Sequence, residues 1–243
     1  MGVRVNMTII NQRGSILMNG GTNELNKYFK HQVGILLLAV GVVLLGVGAL
    51  FILSGGWVLQ GGIFLVPGGV CCVLGVLLRI KGEHLDNYIA KAADAVGNGF
   101  YDVVKYQTKK VVLDKPHVNS GYVEKNGQTR SRRGSDGKIR TDRFYITALV
   151  NEHDRLMIRS LERSVVNDSD VSEQVFDYAY KGLSPIKVEP ADTSSRVNKN
   201  FVRCTIVAPD GSEFVFLLND NAENDKLIEQ INQKINDVNS KSA

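Results

Sequence analysis

Between Lys30 and Arg79 the chain carries no charged side chain. The interval splits into two apolar runs, residues 33–53 and 57–78, joined by Ser54-Gly55-Gly56. At 21 and 22 residues, each run forms a helix roughly 30 Å long, the thickness of a bilayer's hydrocarbon core. A buried soluble helix rarely needs that length twice in succession. The pattern predicts a transmembrane helical hairpin, too far from the N-terminus and too long to be a cleaved signal peptide.

The flanks predict its orientation. Lys27 and Lys30 precede the first run, Arg79 and Lys81 come after the second, and the connection is uncharged. Cations stay on the cytosolic side, so both termini are expected in the cytosol. The net charge of +4 is unevenly spread. Residues 1–32 hold Arg4, Arg13, Lys27 and Lys30 against Glu24 alone. The polypeptide beyond the hairpin is close to neutral, so nucleic acid is not an expected partner. Cys71 and Cys72 lie inside the second run and Cys204 far beyond it, a spacing that suggests neither a disulfide framework nor a zinc site.

The chain divides into four segments: an N-terminal cytosolic segment (1–32), the hairpin (33–78), a juxtamembrane helical linker (79–110) and a cytosolic α+β domain (111–243). Val3, Val5, Met7 and Ile9 alternate with polar residues as in a half-buried strand. Tyr28 and Phe29 are placed at the membrane interface, with Trp57 on the opposite side. In the linker, Leu85, Ile89, Ala92 and Val96 recur at helical spacing, and Gly97-Asn98-Gly99 is expected to end or bend that helix.

Beyond residue 111 the period is mostly that of strands. Phe144, Ile146, Ala148 and Val150 share one face, and Leu156 and Ile158 resume it after a polar turn. Asp170 or Ser172 is expected to cap a short helix containing Val175, Phe176 and Ala179. A second hairpin is centred on Pro209-Asp210-Gly211, with Val202, Cys204 and Ile206 before the turn and Phe214, Phe216 and Leu218 after it. Leu227, Ile228, Ile231, Ile235 and Val238 form the stripe of a C-terminal helix. The expected fold is a membrane hairpin plus an α+β domain with a mainly antiparallel sheet.

Two residue groups are candidate functional features. Gly34, Gly41 and Gly48 stand seven apart, as do Gly61, Gly68 and Gly75, with Gly62 and Gly69 beside them. Seven residues are nearly two helical turns, so each set lines a groove where helix backbones can meet. The grooves serve either the packing of one helix on the other within the chain or homo-oligomerisation. The second group is the basic loop of residues 125–143, where Lys125, Arg130, Arg132, Arg133, Lys138, Arg140 and Arg143 face only Asp136 and Asp142. Flanking glycines make it read as a mobile, solvated loop. Its cations suit anionic lipid headgroups or an acidic protein partner. No aromatic residue interleaves them, which argues against single-stranded nucleic acid.

Signals for catalysis are poor. His31, His84, His117 and His153 show no metal-ligand spacing. Residues 134–138 are too short for a phosphate loop, and Ile139 stands where Ser or Thr is required. No cofactor motif is present. Neither apolar run holds an Asp, Glu, Lys, Arg or His, which the proton relays and ion pathways of pumps and most transporters require.

The paired runs GILLLAVGVVLLGVGALFIL and WVLQGGIFLVPGGVCCVLGVLL resemble the bilobed hydrophobic domain of inclusion-membrane proteins secreted by some intracellular bacteria. The resemblance covers under a fifth of the chain and is architectural. It implies two spans in a host vacuole membrane with both termini facing host cytosol, and a role in tethering or recruitment; without secretion the expected location is a bacterial inner membrane. The α+β tail departs from the long helical tails common in that group. The expected function is that of a membrane-anchored, non-enzymatic adaptor. The alternatives are a structural subunit of a membrane assembly and a membrane-bound enzyme whose site the sequence does not reveal.

Overall fold

The computed structural model describes residues 28–29, 33–55, 58–77, 82–109, 115–125, 129–134, 136–167, 169–191 and 195–241. The strand expected near the N-terminus, Trp57, and the flanking cations Lys27, Lys30, Arg79 and Lys81 lie outside these residues. The described chain is an α+β fold with mainly antiparallel sheets.

Helices α1 (Val33–Leu53) and α2 (Val58–Leu77) come first. They pack antiparallel along the glycine rows. A Cβ added at Gly41 would sit 2.8 Å from the Gly68 carbonyl oxygen, one at Gly48 would sit 3.0 Å from that of Gly61, and one at Gly75 would sit 2.8 Å from that of Gly34. Such backbone contact is open only to residues without a side chain. Gly46, Gly62 and Gly69 point away, with nothing within 4 Å of an added Cβ. One helix among the described residues is long and apolar enough to cross a membrane, residues Gly34–Leu53. The second contributes the shorter apolar stretch Gln60–Val76.

Helix α3 (Gly82–Thr108) runs through Gly97-Asn98-Gly99 without ending there. Gly97 is buried, and a Cβ on it would meet Val118 at 2.7 Å. Close packing against the neighbouring strand thus offsets the roughly 1 kcal/mol by which glycine weakens a helix. Helix α3 packs on the domain. Its stripe of Leu85, Ile89, Val96, Phe100 and Val104 is buried in one of the domain's cores.

The first sheet has the order β1-β4-β5-β6, built from β1 (His117–Tyr122), β4 (Arg143–Asn151), β5 (Arg155–Ser164) and β6 (Val171–Ala179), all neighbours antiparallel. A small hairpin of β2 (Ser131–Arg133) and β3 (Ile139–Thr141) rises between β1 and β4. The second sheet is β7 (Lys187–Pro190), β8 (Phe201–Val207) and β9 (Glu213–Asn219), again antiparallel. The turn from β8 to β9 uses Gly211 at φ +82°, the left-handed region that glycine enters without strain. Helix α4 (Ala222–Ser240) closes the chain, capped by Asn221, whose side chain accepts from the Asn224 amide.

Strand alternation gives the first sheet two buried faces. Phe144, Ile146, Ala148 and Val150 meet α3. Leu149, Leu156, Ile158 and Phe176 meet the second sheet and the Ile228–Ile231–Ile235 stripe of α4, so Leu156 and Ile158 lie on the face opposite to the one expected, and Met157 and Leu161 continue the α3 face instead. β4 is therefore buried almost throughout and forms the middle layer.

The segment expected to be a short helix after Asp170 is instead strand β6. Val175, Phe176 and Ala179 fit a helical stripe in isolation. Pairing with β5 over nine residues decides otherwise, helped by diagonal ion pairs from Arg159 to Glu173 at 2.7 Å and Arg155 to Asp177 at 3.2 Å.

Contact within the helix pair predicts unequal tolerance of bulk. Gly41→Leu should lower the melting temperature of the helical circular-dichroism signal in detergent micelles by several degrees. Gly46→Leu, which meets open space, should leave it within about one degree. Equal effects would show that the backbone contact contributes nothing.

Candidate functional site

The basic loop is largely ordered structure. Arg132 pairs with Arg140, and Arg133 with Ile139, across β2 and β3. The turn closes through the Gly134 amide donating to the Lys138 carbonyl at 2.8 Å, with Gly137 at φ +78°. Asp142 fastens the base. Its carboxylate accepts from the Arg130 amide at 2.9 Å, and its own amide donates to the Arg130 carbonyl at 2.9 Å.

The seven cations divide into three kinds. Arg140 and Arg143, grouped with the loop cations in the sequence, are not surface cations. Arg140 is fully buried. Its guanidinium grips Asp86 of α3 through Nε at 2.8 Å and Nη2 at 2.6 Å, and Asp136 of the turn through Nη1 at 2.9 Å and Nη2 at 2.6 Å. Two forked pairs on one guanidinium use all of its polar edges. Arg143 is buried between Glu162 and Asp170. Both are held inside because a buried guanidinium without partners would be strongly destabilising.

Arg132 is of the second kind. Half-buried, it donates to the Tyr28 carbonyl and lies over the Tyr28 ring, 4.8 Å from its centre. Tyr28 itself is buried against the α3 core. Lys125, Arg130, Arg133 and Lys138 are of the third kind, exposed to solvent. Arg133 steadies the turn by donating from Nε to the Gly137 carbonyl at 3.0 Å.

The charge cluster polarises its members. Hydrogen bonding to Arg140 holds the Asp86 carboxyl below its usual range, against the opposing effect of burial. The same cation lowers Asp136 further, and the two carboxylates raise Arg140 well above its ordinary value. Tyr122 donates to Asp86 at 2.6 Å. Burial, then that bond, pushes its hydroxyl far up.

Beside this cluster lies a groove of about 490 Å³. One wall is the β2–β3 turn with Lys138. The other is the segment 195–200, which contributes Arg196 and Asn200. Tyr145, Phe201 and Asn219 line the groove between them, with the Tyr145 and Phe201 rings 5.4 Å apart and the Tyr145 hydroxyl donating to Asn219 at 2.8 Å. The second wall is pinned to the end of β1. Ser195 donates to the Glu124 carboxylate at 2.6 Å, the Glu124 amide donates to Asn198 at 2.8 Å, and the Asn198 side chain returns a bond to the Glu124 carbonyl at 2.9 Å. Arg196 is not among the residues the sequence singles out. It stands alone there, and only the fold brings it opposite Lys138.

The glycines Gly34, Gly41, Gly48, Gly61, Gly68 and Gly75 are far from this groove in the chain and serve the α1–α2 contact. Cys204 is sealed in the second core, where burial pushes its thiol up to about 12, so it is not a nucleophile at neutral pH. No group of three or more His, Cys, Asp or Glu placed to hold a metal occurs among the described residues. Compared with protein-family models, curated proteins and solved structures, the chain gives no match.

The Arg140 cluster makes stability depend on acid. Asp86 and Asp136 have folded pKa values below the unfolded value of about 4. Their contribution is present above that value and is lost as pH falls through the depressed folded values. Melting temperature should therefore drop steeply below about pH 4, and Arg140→Met should flatten that limb. At neutral pH, Asp86→Asn should destabilise by about 2–3 kcal/mol in denaturant titration, since Arg140 keeps only Asp136 as a charged partner.

Proposed function

We propose that this chain is a membrane-anchored, non-enzymatic interaction protein. In this reading α1 and α2 form a two-span hairpin, both termini face the cytosol, and the α+β domain is presented at the membrane surface to a protein partner.

One observation carries the reading. Only 11% of the apolar span in α1 is buried inside the protein, whereas the core helix of a soluble fold is mostly buried. Leu36, Val43, Leu50 and Leu53 of α1 and Ile63 and Val66 of α2 are each more than 60% exposed. An apolar patch of that extent needs a bilayer or another protein to cover it. The uncharged turn and the cations outside both runs support the orientation. The absence of Asp, Glu, Lys, Arg and His from both runs argues against transport.

The domain is joined closely to the anchor. From Tyr28 to Val33, and from Leu77 to Gly82, the chain takes five steps, at most about 18 Å fully extended. Tyr28 and Asp86 are both fastened to the β2–β3 hairpin. A domain held on two short tethers is suited to present one face to the bilayer and the rest to a partner.

A second reading, a subunit of an oligomeric membrane assembly, is favoured by Gly62 and Gly69, which leave the outer side of α2 open to close backbone approach.

Alkaline extraction should leave the full chain in the membrane pellet and release a variant lacking residues 33–77. In sealed vesicles whose interior is cytosolic, probes at Ile10→Cys and Ser240→Cys should both be protected from a membrane-impermeant thiol reagent. Opposite accessibility of the two ends would disprove two spans. A detergent-solubilised mass above one chain would favour the subunit reading.

A further inference from the structure

The groove beside the β2–β3 turn has the chemistry of an anion site. Its two charged lining groups, Lys138 and Arg196, are both cations, and no carboxylate is among its described lining residues. Both cations are exposed, and neither forms an ion pair with a described residue. The polar groups beside them are the amides of Asn200 and Asn219. The Asn219 Oδ1 is occupied by the Tyr145 hydroxyl, which leaves its Nδ2 as a donor. A phosphate offers several acceptor oxygens and one or two negative charges, and it matches this set.

The site is also held in shape before any ligand arrives. The Lys138 wall is fixed by the Arg140–Asp136 and Arg140–Asp86 pairs, and its own amide donates to Asp136 at 3.1 Å. The Arg196 wall is fixed by three hydrogen bonds between its Ser195 and Asn198 and Glu124. Little ordering remains to oppose binding.

Position selects the source of the phosphate. Tyr122 lines the groove and donates to Asp86. Asp86 lies one turn into α3, whose start comes five residues after the end of α2. The groove therefore sits close to where the chain leaves the apolar pair, at the level a headgroup layer would occupy.

We propose that this groove binds the phosphate of an anionic lipid headgroup from the bilayer that holds α1 and α2, with Lys138 and Arg196 as its cationic contacts. The proposal rests on the membrane-anchored reading above. It adds a specific lipid contact that orients the domain on the bilayer.

The test uses the full chain in phosphatidylcholine nanodiscs, titrated with short-chain dioctanoyl phosphatidic acid and, separately, with inorganic phosphate. Amide hydrogen exchange is read at residues 137–139 and 196–201. The lipid should slow exchange in both segments. Lys138→Ser with Arg196→Ser should weaken that effect on the order of 25-fold, about fivefold for each cation. Lys138→Arg with Arg196→Lys should retain it, which separates loss of charge from loss of fold. Lys199→Ser, an exposed neighbour outside the groove, should change nothing. Raising salt should shrink the lipid effect.

Unaltered exchange on adding lipid, or equal protection in the double Ser variant, would overturn the headgroup site while leaving the anchor intact. Equal protection by inorganic phosphate at the same concentration would make the free ion the ligand and overturn the lipid assignment. A chain that elutes free of the nanodisc would overturn the anchor and the headgroup site together.

Discussion

The buried Arg140 guanidinium is the constraint around which α3, β1 and the β2–β3 hairpin are arranged. A charge with no solvent contact needs partners on every polar edge, and here they come from different parts of the chain. Asp86 arrives from α3 and Asp136 from the hairpin turn, while Tyr122 of β1 shares the Asp86 carboxylate. Gly82 allows the helix start to press in, since a Cβ there would lie 2.5 Å from the Arg140 guanidinium carbon. Helix, hairpin and strand are thus obliged to meet at one place. The β2–β3 hairpin would otherwise be two three-residue strands, too little to hold a shape in water.

Parts of this architecture are legible in the residues and parts are not. The stripe of α3, the alternation of β4, the β8–β9 turn and the stripe of α4 all show in the sequence because each buries one regular face. Strand β6 does not, because it is an edge strand that buries only Phe176 on one face and carries charges on the other. Glu173 and Asp177 are accommodated there by Arg159 and Arg155 from β5, and no local pattern announces partners on another strand. The same blindness affects the basic loop. Seven cations within nineteen positions read as a solvated run. Asp86 stands 54 residues from Arg140, so the ion pair that internalises Arg140 is invisible to composition. Arg196 escapes notice for the reverse reason, since it belongs to no cluster until the fold provides one.

The apolar pair obeys a different logic. In the proposed bilayer setting, lipid tails would give no hydrophobic advantage to helix contact, and α1 and α2 would gain from close fit. The facing glycines supply it at three levels, with Gly34 near Gly75, Gly41 near Gly68 and Gly48 near Gly61. Between the last two levels Leu45 and Leu65 fill the space beside Gly68 and Gly48. The stacked rings of Phe51 and Phe64, 5.9 Å apart, continue the contact toward the turn. Elsewhere the large side chains face outward. That is the reverse of a soluble bundle, where large apolar residues fill the centre and polar ones face out.

The two halves of the molecule meet through the sorting of its cations. Arginines with carboxylate partners go inside and brace the domain. Arg132 instead reaches Tyr28, on the other side of the apolar pair in sequence, so Tyr28 before the pair and Asp86 after it are tied to the same hairpin. The cations left exposed are then carried on a support that is fixed relative to both tethers. A freely jointed domain with the same surface charges would bind an anionic bilayer by average attraction alone, in any orientation. In the proposed headgroup contact, bracing by Arg140 would make the same charges directional, because the turn that carries Lys138 is held by the Arg140–Asp136 pair.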